Sequence, residues 1–330
     1  MGSSTRCGLL SVVLIVKNEE ECLSGALHSV GRLGETVVCD TGSSDSTIEI
    51  AGRAGARVVE AEWRDDFALA RSHAQRHARC DWVMRMDADE LFWVARGRPE
   101  EWLSAAIGRA ERAEADRIYV LRRYSDTNIH WFPRLFRASR HRWVKPLHEL
   151  IAPVGARRRA VAVPGAVFLH RPSGRPRGYA DMAARHLSRK PDDPHLRYYW
   201  ARGLWEEGRW REAAFALQQY LSGPADYWFH RGEAHRMYGN VLSQLDPVEG
   251  IRHLVEAAIG DGPRNEAIAD LVRLLLRRGE KRRARRWIRL AAEAEPPQER
   301  APWGGTTTPY LLDATAWRPG LWRQLWRYAA

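Results

Sequence analysis

Residues 11–40, "SVVLIVKNEEECLSGALHSVGRLGETVVCD", decide the fold. The segment opens on a short apolar strand, "SVVLIV" (11–16). It continues as a helix, "EEECLSGALHSVGRL" (19–33), whose apolar positions are Cys22, Ala26, Leu27 and Val30, and closes on a second strand, "ETVVCD" (35–40). The same alternation runs on. After the turn "TGSSDST", "IEIAGRAG" (48–55) is helical, "ARVVEAEW" (56–63) is a strand, "FALARSHAQRHA" (67–78) is a helix and "CDWVMRMD" (80–87) is a fourth strand. Strands interleaved with helices imply a parallel sheet with helices on both faces. Ligands of such sheets bind beyond the carboxyl ends of the strands. Polar clusters fall at three of those ends: Lys17–Glu19, Asp40–Asp45 and Asp87–Glu90.

The 330 residues suffice for two domains, and 45% hydrophobic with 28% charged residues fits a globular chain. The run "LLSVVLIV" (9–16) is too short to span a bilayer and is followed at once by charge, so it reads as a buried strand. No transmembrane segment and a cytoplasmic location are expected. Cys7, Cys22, Cys39 and Cys80 lack metal-type spacing and are expected as reduced thiols. The net charge of +11 suits an anionic ligand or surface, but no RNA-binding signature accompanies it, so nucleic acid is not an expected partner.

From about residue 194 the pattern is helical, with no expected strand. "PHLRYYWARGLWEEGRWREAAFALQQYL" (194–221) aligns with "NEAIADLVRLLLRRGEKRRARRWIRLAA" (265–292), matching Ala201 with Val272, Gly208 with Gly279 and Ala213 with Ala284. These fit the small and glycine positions of a 34-residue tetratricopeptide repeat, with 228–262 as a degenerate middle repeat. The Pro/Gly/Arg-rich "HRPSGRPRG" (170–178) separates the halves. The expected domains are therefore 1–175, α/β, and 176–330, all-α. The tail "ATAWRPGLWRQLWRYAA" reads as a final amphipathic helix on the array.

Asp87 and Asp89 are two apart, so a regular strand would turn both to one face, where they can offer oxygens to a hard divalent cation. Alone, such a pair is more often a cap or a solvated turn. Neither a glycine-rich dinucleotide turn nor a P-loop follows the first strand, which excludes the usual dehydrogenase and NTPase readings. Asp45 and Ser46 read as caps of the next helix, and Glu19–Glu21 as an acidic first helical turn. His73 and His77, spaced i, i+4, lack a third ligand and read as a structural face.

"LSVVLIVKNEEECLSGALHSV", "VVCDTGSSDSTIEIA", "FALARSHAQRHARCDWVMRMDADE" and "WVKPLHEL" together resemble the family-two, GT-A-fold glycosyltransferases, over roughly residues 9–170. With a tetratricopeptide-like second half, the chain resembles the branch that holds SunS-type peptide S-glycosyltransferases. The resemblance implies a Rossmann-like, mostly parallel sheet and a nucleotide-diphosphate sugar donor, UDP-sugar before others. It implies donor-binding roles for Val16, Asn18, Glu19, Asp40, Thr41, Gly42, Arg71, Asp87 and Ala88, with Asp40 reading the base and Glu19 the ribose. Arg71 falls where relatives carry "ARN", and this chain has Ser72 in place of Asn. A divalent metal (Mg2+ or Mn2+) would be held by Asp87, Asp89 and His148. Glu149 is a candidate general base, with Asp89 as the second catalytic carboxylate. Arg134 and Arg137 would offset diphosphate charge or form a structural basic face. The expected reaction is an inverting transfer to a peptide Cys, Ser or Thr. The alternatives are a cell-envelope glycan, lipid-linked sugar or small natural product as acceptor, or a non-enzymatic peptide-binding scaffold. The helical half would bind the acceptor or form a homodimer.

Overall fold

The computed structural model describes residues 9–31, 33–124, 129–155, 159–171, 178–225, 227–260, 264–293, 299–300, 306–307 and 319–329. The chain divides into two compact units, Met1–Arg175 with Arg300–Thr307, and Pro176–Glu299 with Thr308–Ala330.

The first unit opens with β1 (Ser11–Val16), α1 (Leu23–Val30), β2 (Glu35–Asp40), α2 (Thr47–Arg53), β3 (Arg57–Glu60), α3 (Phe67–Arg76) and β4 (Trp82–Arg85). These match the alternation read from the sequence. The largest displacement is at the start of α1, which begins at Leu23 and leaves Glu19–Glu21 in the preceding turn, where the Glu19 N–H donates to the Thr47 hydroxyl at 2.7 Å. Helix α1 also stops at Val30, β3 at Glu60 and β4 at Arg85, each short of its reading. Beyond residue 87 the sequence reading assigned no strands. The structure continues through β5 (Glu90–Val94), α4 (Pro99–Arg112), β6 (Ala115–Arg123), β7 (Ile129–Arg137), β8 (His141–Val144), β9 (Leu150–Pro153) and β10 (Arg159–His170).

Eight of these strands form one sheet in the order β3-β2-β1-β4-β7-β6-β10-β5, and β8 pairs with β9 as a separate hairpin. Pairings β3–β2, β2–β1, β1–β4 and β6–β10 are parallel, whereas β4–β7, β7–β6 and β10–β5 are antiparallel. This is the GT-A arrangement: a Rossmann-like half continued by an antiparallel one. Its first core lies between the sheet and α1 and α4, where Leu14, Leu23, Met84, Leu103, Ile118 and Phe168 are fully or almost fully buried. Gly34 sits where a Cβ would fall 2.0 Å from the Leu10 carbonyl oxygen, so only glycine admits the chain back into β2. Cys22 and Cys39 are free thiols, but Cys80 is disulfide-bonded, against the expectation of a reduced thiol. Sequence spacing does not limit which cysteines meet in space, and the geometry decides.

The second unit begins with α5 (Tyr179–Leu187) and continues as paired helices. These are α6 (Pro194–Glu206) with α7 (Trp210–Leu221), α8 (Trp228–Leu242) with α9 (Pro247–Ile259), and α10 (Arg264–Arg277) with α11 (Lys281–Ala292), followed by α12 (Pro319–Ala329). Gly208 and Gly279 take left-handed φ values of 72° and 75° at the first and third intra-pair turns. Ala201, Val272, Ala213 and Ala284 are fully buried, as the repeat frame expects. The middle pair read as degenerate because its turn lacks that glycine. Instead Asp246 caps α9 by accepting from the Val248 and Glu249 N–H groups, and α8 meets α9 backbone to backbone at Gly239 and Gly250. In α12, Trp322, Leu325 and Ala329 join the core of α9–α11. Two short strands, Glu299–Arg300 and Thr306–Thr307, pair with each other where none was expected. The expected boundary segment 170–178 lies largely outside the described residues.

Between α8 and α9 the His235 and His253 Nδ1 atoms are 2.9 Å apart, and Arg252 Nη2 lies 3.0 Å from His253 Nε2. Arg252 can only donate, so His253 carries its proton on Nδ1 and gives it to His235. Burial, then Arg252 and His235, push His253 down from 6.5 to about 4. A depressed imidazole contributes stability that is complete above 6.5 and lost as pH falls through 4. Thermal unfolding followed from pH 7 to pH 4 should therefore show a falling midpoint, and His253→Asn should flatten that fall. An equal slope in wild type and variant would refute this.

Candidate active site

The carboxyl ends of β1 and β2 lie side by side, with Val16 in register with Asp40. The Thr41 N–H and hydroxyl both donate to the Val16 carbonyl at 3.0 Å. Asp40, which is 3% exposed, accepts at Oδ2 from the Gly42 and Ser43 N–H groups at 2.9 Å and at Oδ1 from the Ser43 hydroxyl at 2.5 Å. Gly42 turns the chain with φ 103°. The two loops are laced together. The Asn18 N–H donates to Ser43 Oγ, the Ser44 N–H to Asn18 Oδ1, and the Glu20 N–H to Asp45 Oδ2. Asn18 holds φ 55°, a left-handed value that asparagine tolerates better than most residues. At the start of α2 the acceptor is Asp45, which takes the Thr47 N–H at 3.0 Å, and Ser46 makes no side-chain cap. Val16, Asn18, Glu19, Asp40, Thr41 and Gly42 thus belong to one preorganised rim.

The acidic segment after β4 differs from its reading as a strand with two carboxylates on one face. The strand ends at Arg85, and Asp87–Glu90 is a turn, closed by the Glu90 N–H on the Asp87 carbonyl (3.2 Å) and the Asp87 N–H on Glu90 Oε2 (3.0 Å). A turn sends the two aspartates to different partners. Asp87 meets Arg71 at 2.5 Å, with Arg122 and Arg85 at 3.6 and 3.7 Å from its other oxygen. Asp89 is buried and faces His170 Nδ1 at 3.5 Å. Ala88 packs into the core. Burial alone would raise the Asp87 carboxyl, but Arg71, Arg85, Arg122 and Arg134 hold it well below the usual carboxylate range.

Glu149 closes the cluster from the loop between β8 and β9. Its Oε1 accepts from Arg71 Nε at 2.5 Å and lies 3.4 Å from Arg85 Nη2. Burial raises its carboxyl, and Arg71 and Arg85 more than offset that, so it stays ionised. Arg71 therefore bridges Asp87 and Glu149, and Trp143 lies 5.3 Å beneath both the Arg71 and the Arg85 guanidinium. His148, at φ 46° in the same loop, is not gathered with Asp87 and Asp89: among the described residues no three His, Cys, Asp or Glu side chains converge as a metal cage. The left-handed turn that brings Glu149 to Arg71 fixes the course of its neighbour.

Four residues of this cluster escaped the sequence reading. Glu90, 1% exposed, is its anchor: Arg134 grips it with two bonds of 2.9 and 2.5 Å, and Arg122 Nε approaches at 2.6 Å. Arg134 is thus buried in a pair with Glu90, while Arg137 pairs with Asp81 and Glu111. Arg85, Arg122 and His170 complete the set. Two had a signal: Glu90 as the end of the polar cluster after β4, and His170 as a polar residue closing a long apolar run, "AVAVPGAVFLH". The His73 and His77 rings lie 5.0 Å apart, tilted by 56°.

Residues 11–173 match the family model for glycosyl transferase family 2. The first unit is a family 2 glycosyltransferase domain. A TPR repeat-containing protein of Synechococcus elongatus is 35% identical over 147 residues, 43% of this chain and 35% of that protein. An uncharacterized glycosyltransferase of Rickettsia typhi is 37% identical over 82 residues, 24% and 28% of the two chains. The SPbeta prophage-derived glycosyltransferase SunS of Bacillus subtilis is 30% identical over 82 residues, 24% of this chain and 19% of SunS. The chain thus spans about a third or less of these relatives' lengths. Among solved structures, glucosyl-3-phosphoglycerate synthase of Mycobacterium tuberculosis with Mn2+ and UDP-glucose aligns at TM-score 0.30 and 24% identity, over 36% of this chain and 44% of that one. Among the described residues, no helix is long and apolar enough to cross a membrane.

Proposed function

We propose that the chain transfers a sugar from a nucleotide-diphosphate sugar, UDP-sugars first, to an acceptor nucleophile with inversion. The observation that carries this reading is the meeting of three elements in a family 2 domain: the laced β1 and β2 rim, the Asp87–Glu90 turn and the Arg71–Glu149 clamp. Asp40 would take the base N–H on a lone pair left over from its turn, and Glu19 the ribose hydroxyls. The carboxylates of Asp87 and Asp89 are oxygen donors from one turn, and Asp87 is ionised with its side chain 23% exposed, which suits a hard divalent cation that completes its shell with diphosphate oxygens. Asp87 and Asp89 would hold that Mg2+ or Mn2+, and the cation would neutralise charge on the departing diphosphate. Glu149, kept ionised and bonded to arginine, is a poor proton acceptor. We assign it to holding Arg71 rather than to general-base catalysis.

The expected division stands as part of this proposal: a donor domain over 1–175 and a helical domain over 176–330 for acceptor binding or dimerisation. Within the second unit α6 packs beside α8 and α8 beside α10. These helices carry a polar row in which Arg236 and Asn240 both donate to Asp270 at 2.8 Å and Arg202 pairs with Glu206 at 2.7 Å. Stacked helix pairs present extended surfaces suited to extended chains, so a peptide Cys, Ser or Thr is the first acceptor to test. The decisive experiment incubates the purified chain with Mn2+ or Mg2+ and a panel of nucleotide sugars, reading nucleoside diphosphate release and thermal shift. Release and stabilisation with one nucleotide class are expected, and neither with any donor would leave only the binding-scaffold reading.

A further inference from the structure

The chain's positive charge is not spread evenly. Residues 277–293 and 319–329 hold ten basic and two acidic residues, a net +8 of the chain's +11. Helix α11 buries Ala284, Ile288 and Ala291, so Arg282, Arg286 and Arg289, spaced i, i+4, i+7, line its opposite face and are exposed, with Lys281 and Arg283 beside them. Of the two acids, Glu280 is spent on Arg278 (2.7 Å) and Arg283 (2.5 Å). Helix α12 packs against α11. Arg285 Nε donates to the Ala329 carbonyl at 2.9 Å, and the Arg289 guanidinium lies 5.4 Å over the Trp326 ring. Because α12 buries Trp322, Leu325 and Ala329, it turns Arg323, Arg327 and Tyr328 outward.

Apolar side chains lie within this cationic face. Tyr328 is 65% exposed and Leu290 39%. Like charges this dense repel one another in the isolated fold and contribute nothing to the α9–α12 core, which Ile288, Trp322 and Leu325 already close. We propose that the outer face of α11 and α12 docks the protein on an anionic phospholipid surface. The arginines would meet lipid phosphates, and Leu290 and Tyr328 would enter the headgroup layer. A membrane fits better than a nucleic acid because tyrosine and leucine beside arginine suit the boundary between headgroups and acyl chains. The apolar faces of both helices are occupied by the core, so the docking is peripheral and reversible by salt. This inference does not depend on the glycosyltransferase reading, since it concerns the second unit alone and needs no donor.

The test is co-sedimentation of the full chain with vesicles of phosphatidylglycerol and phosphatidylcholine, against phosphatidylcholine alone, at low and high salt. Binding to the anionic vesicles only, lost at high salt, is expected. The variant Arg282→Glu/Arg286→Glu/Arg327→Glu should bind at least about a hundredfold more weakly, since each basic residue near such a surface is worth about fivefold in affinity and three together about a hundredfold. Its unfolding midpoint should stay at the wild-type value. A milder Arg282→Gln/Arg286→Gln variant serves if the triple one melts early. A control that reverses exposed Arg53 and Arg64 should bind as wild type does. Absence of wild-type binding, equal binding to neutral vesicles, or a triple variant that still binds would each overturn the proposal. So would tighter binding to a single-stranded RNA than to the vesicles.

Discussion

Arg134→Ala is expected to destabilise the first unit by about 3–5 kcal/mol, measured by denaturant unfolding of the whole chain. Arg134 and Glu90 are each 1% exposed and joined by two charge-assisted bonds, and the Arg134 guanidinium lies 4.4 Å over the Phe168 ring. Removing the guanidinium leaves a buried carboxylate with Arg122 as its remaining cation. Removing both charges is different. Glu90→Leu with Arg134→Met should bring stability back to within about 2 kcal/mol of wild type, because replacing a buried pair by apolar groups of similar volume is often neutral. Yet the double variant should lose nucleotide-sugar turnover, since Glu90 Oε2 also accepts from the Asp87 N–H and shapes the turn. A loss below about 1 kcal/mol in Arg134→Ala would show that the pair is not what holds the turn.

The second large effect concerns Asp87. Asp87→Asn keeps the size of the side chain and leaves Arg71 paired with Glu149, so the fold should persist and uridine diphosphate should still shift the melting midpoint. Turnover should nevertheless fall by about a thousandfold, about 4 kcal/mol of barrier, because the amide can neither hold a divalent cation nor balance Arg85 and Arg122. Turnover within tenfold of wild type would remove Asp87 from the chemistry. The pH window, not the sign, separates this group from the histidines. The Asp87 carboxyl is depressed, so its contribution is present above its ordinary 3.8 and fades only as pH falls through a still lower value. Acid sensitivity between 6.5 and 4 therefore reports the buried histidines, His130 in the first unit and His253 in the second, and not Asp87.

What could be read from the sequence follows from where the charges sit. The strands β1 to β4 were legible because their interiors are apolar and their polar residues gather past their ends. Strands β6 and β7, "ADRIYVLRR" and "IHWFPRLFR", were not, because Arg122 and Arg134 lie within them and Pro133 interrupts the second. Those arginines are buried to hold Glu90 and Asp87, so the residues that build the site also break the alternation that marks a strand. Asp40, Asp87 and Arg71 were legible from position at strand ends and from the family blocks. The role of Glu90 was not legible, because a glutamate beside two aspartates carries no spacing that announces a partner 44 residues away. His148 was drawn in by its block, whereas His170, 81 residues beyond Asp89, meets it only because β10 runs back beside β5.

That return has a consequence for synthesis. Strand β5 borders β10 alone, with His170 opposite Glu90, so the acidic turn has no edge to lean on until β10 is made. The β1–β4 half is knitted from neighbouring segments and can order early on the ribosome, whereas the catalytic corner must wait for pairings that close a long loop. A nascent chain that has passed β4 thus carries the β1–β2 rim well before it carries the finished acidic turn, and the last strand of the sheet sets the moment when the proposed site is complete.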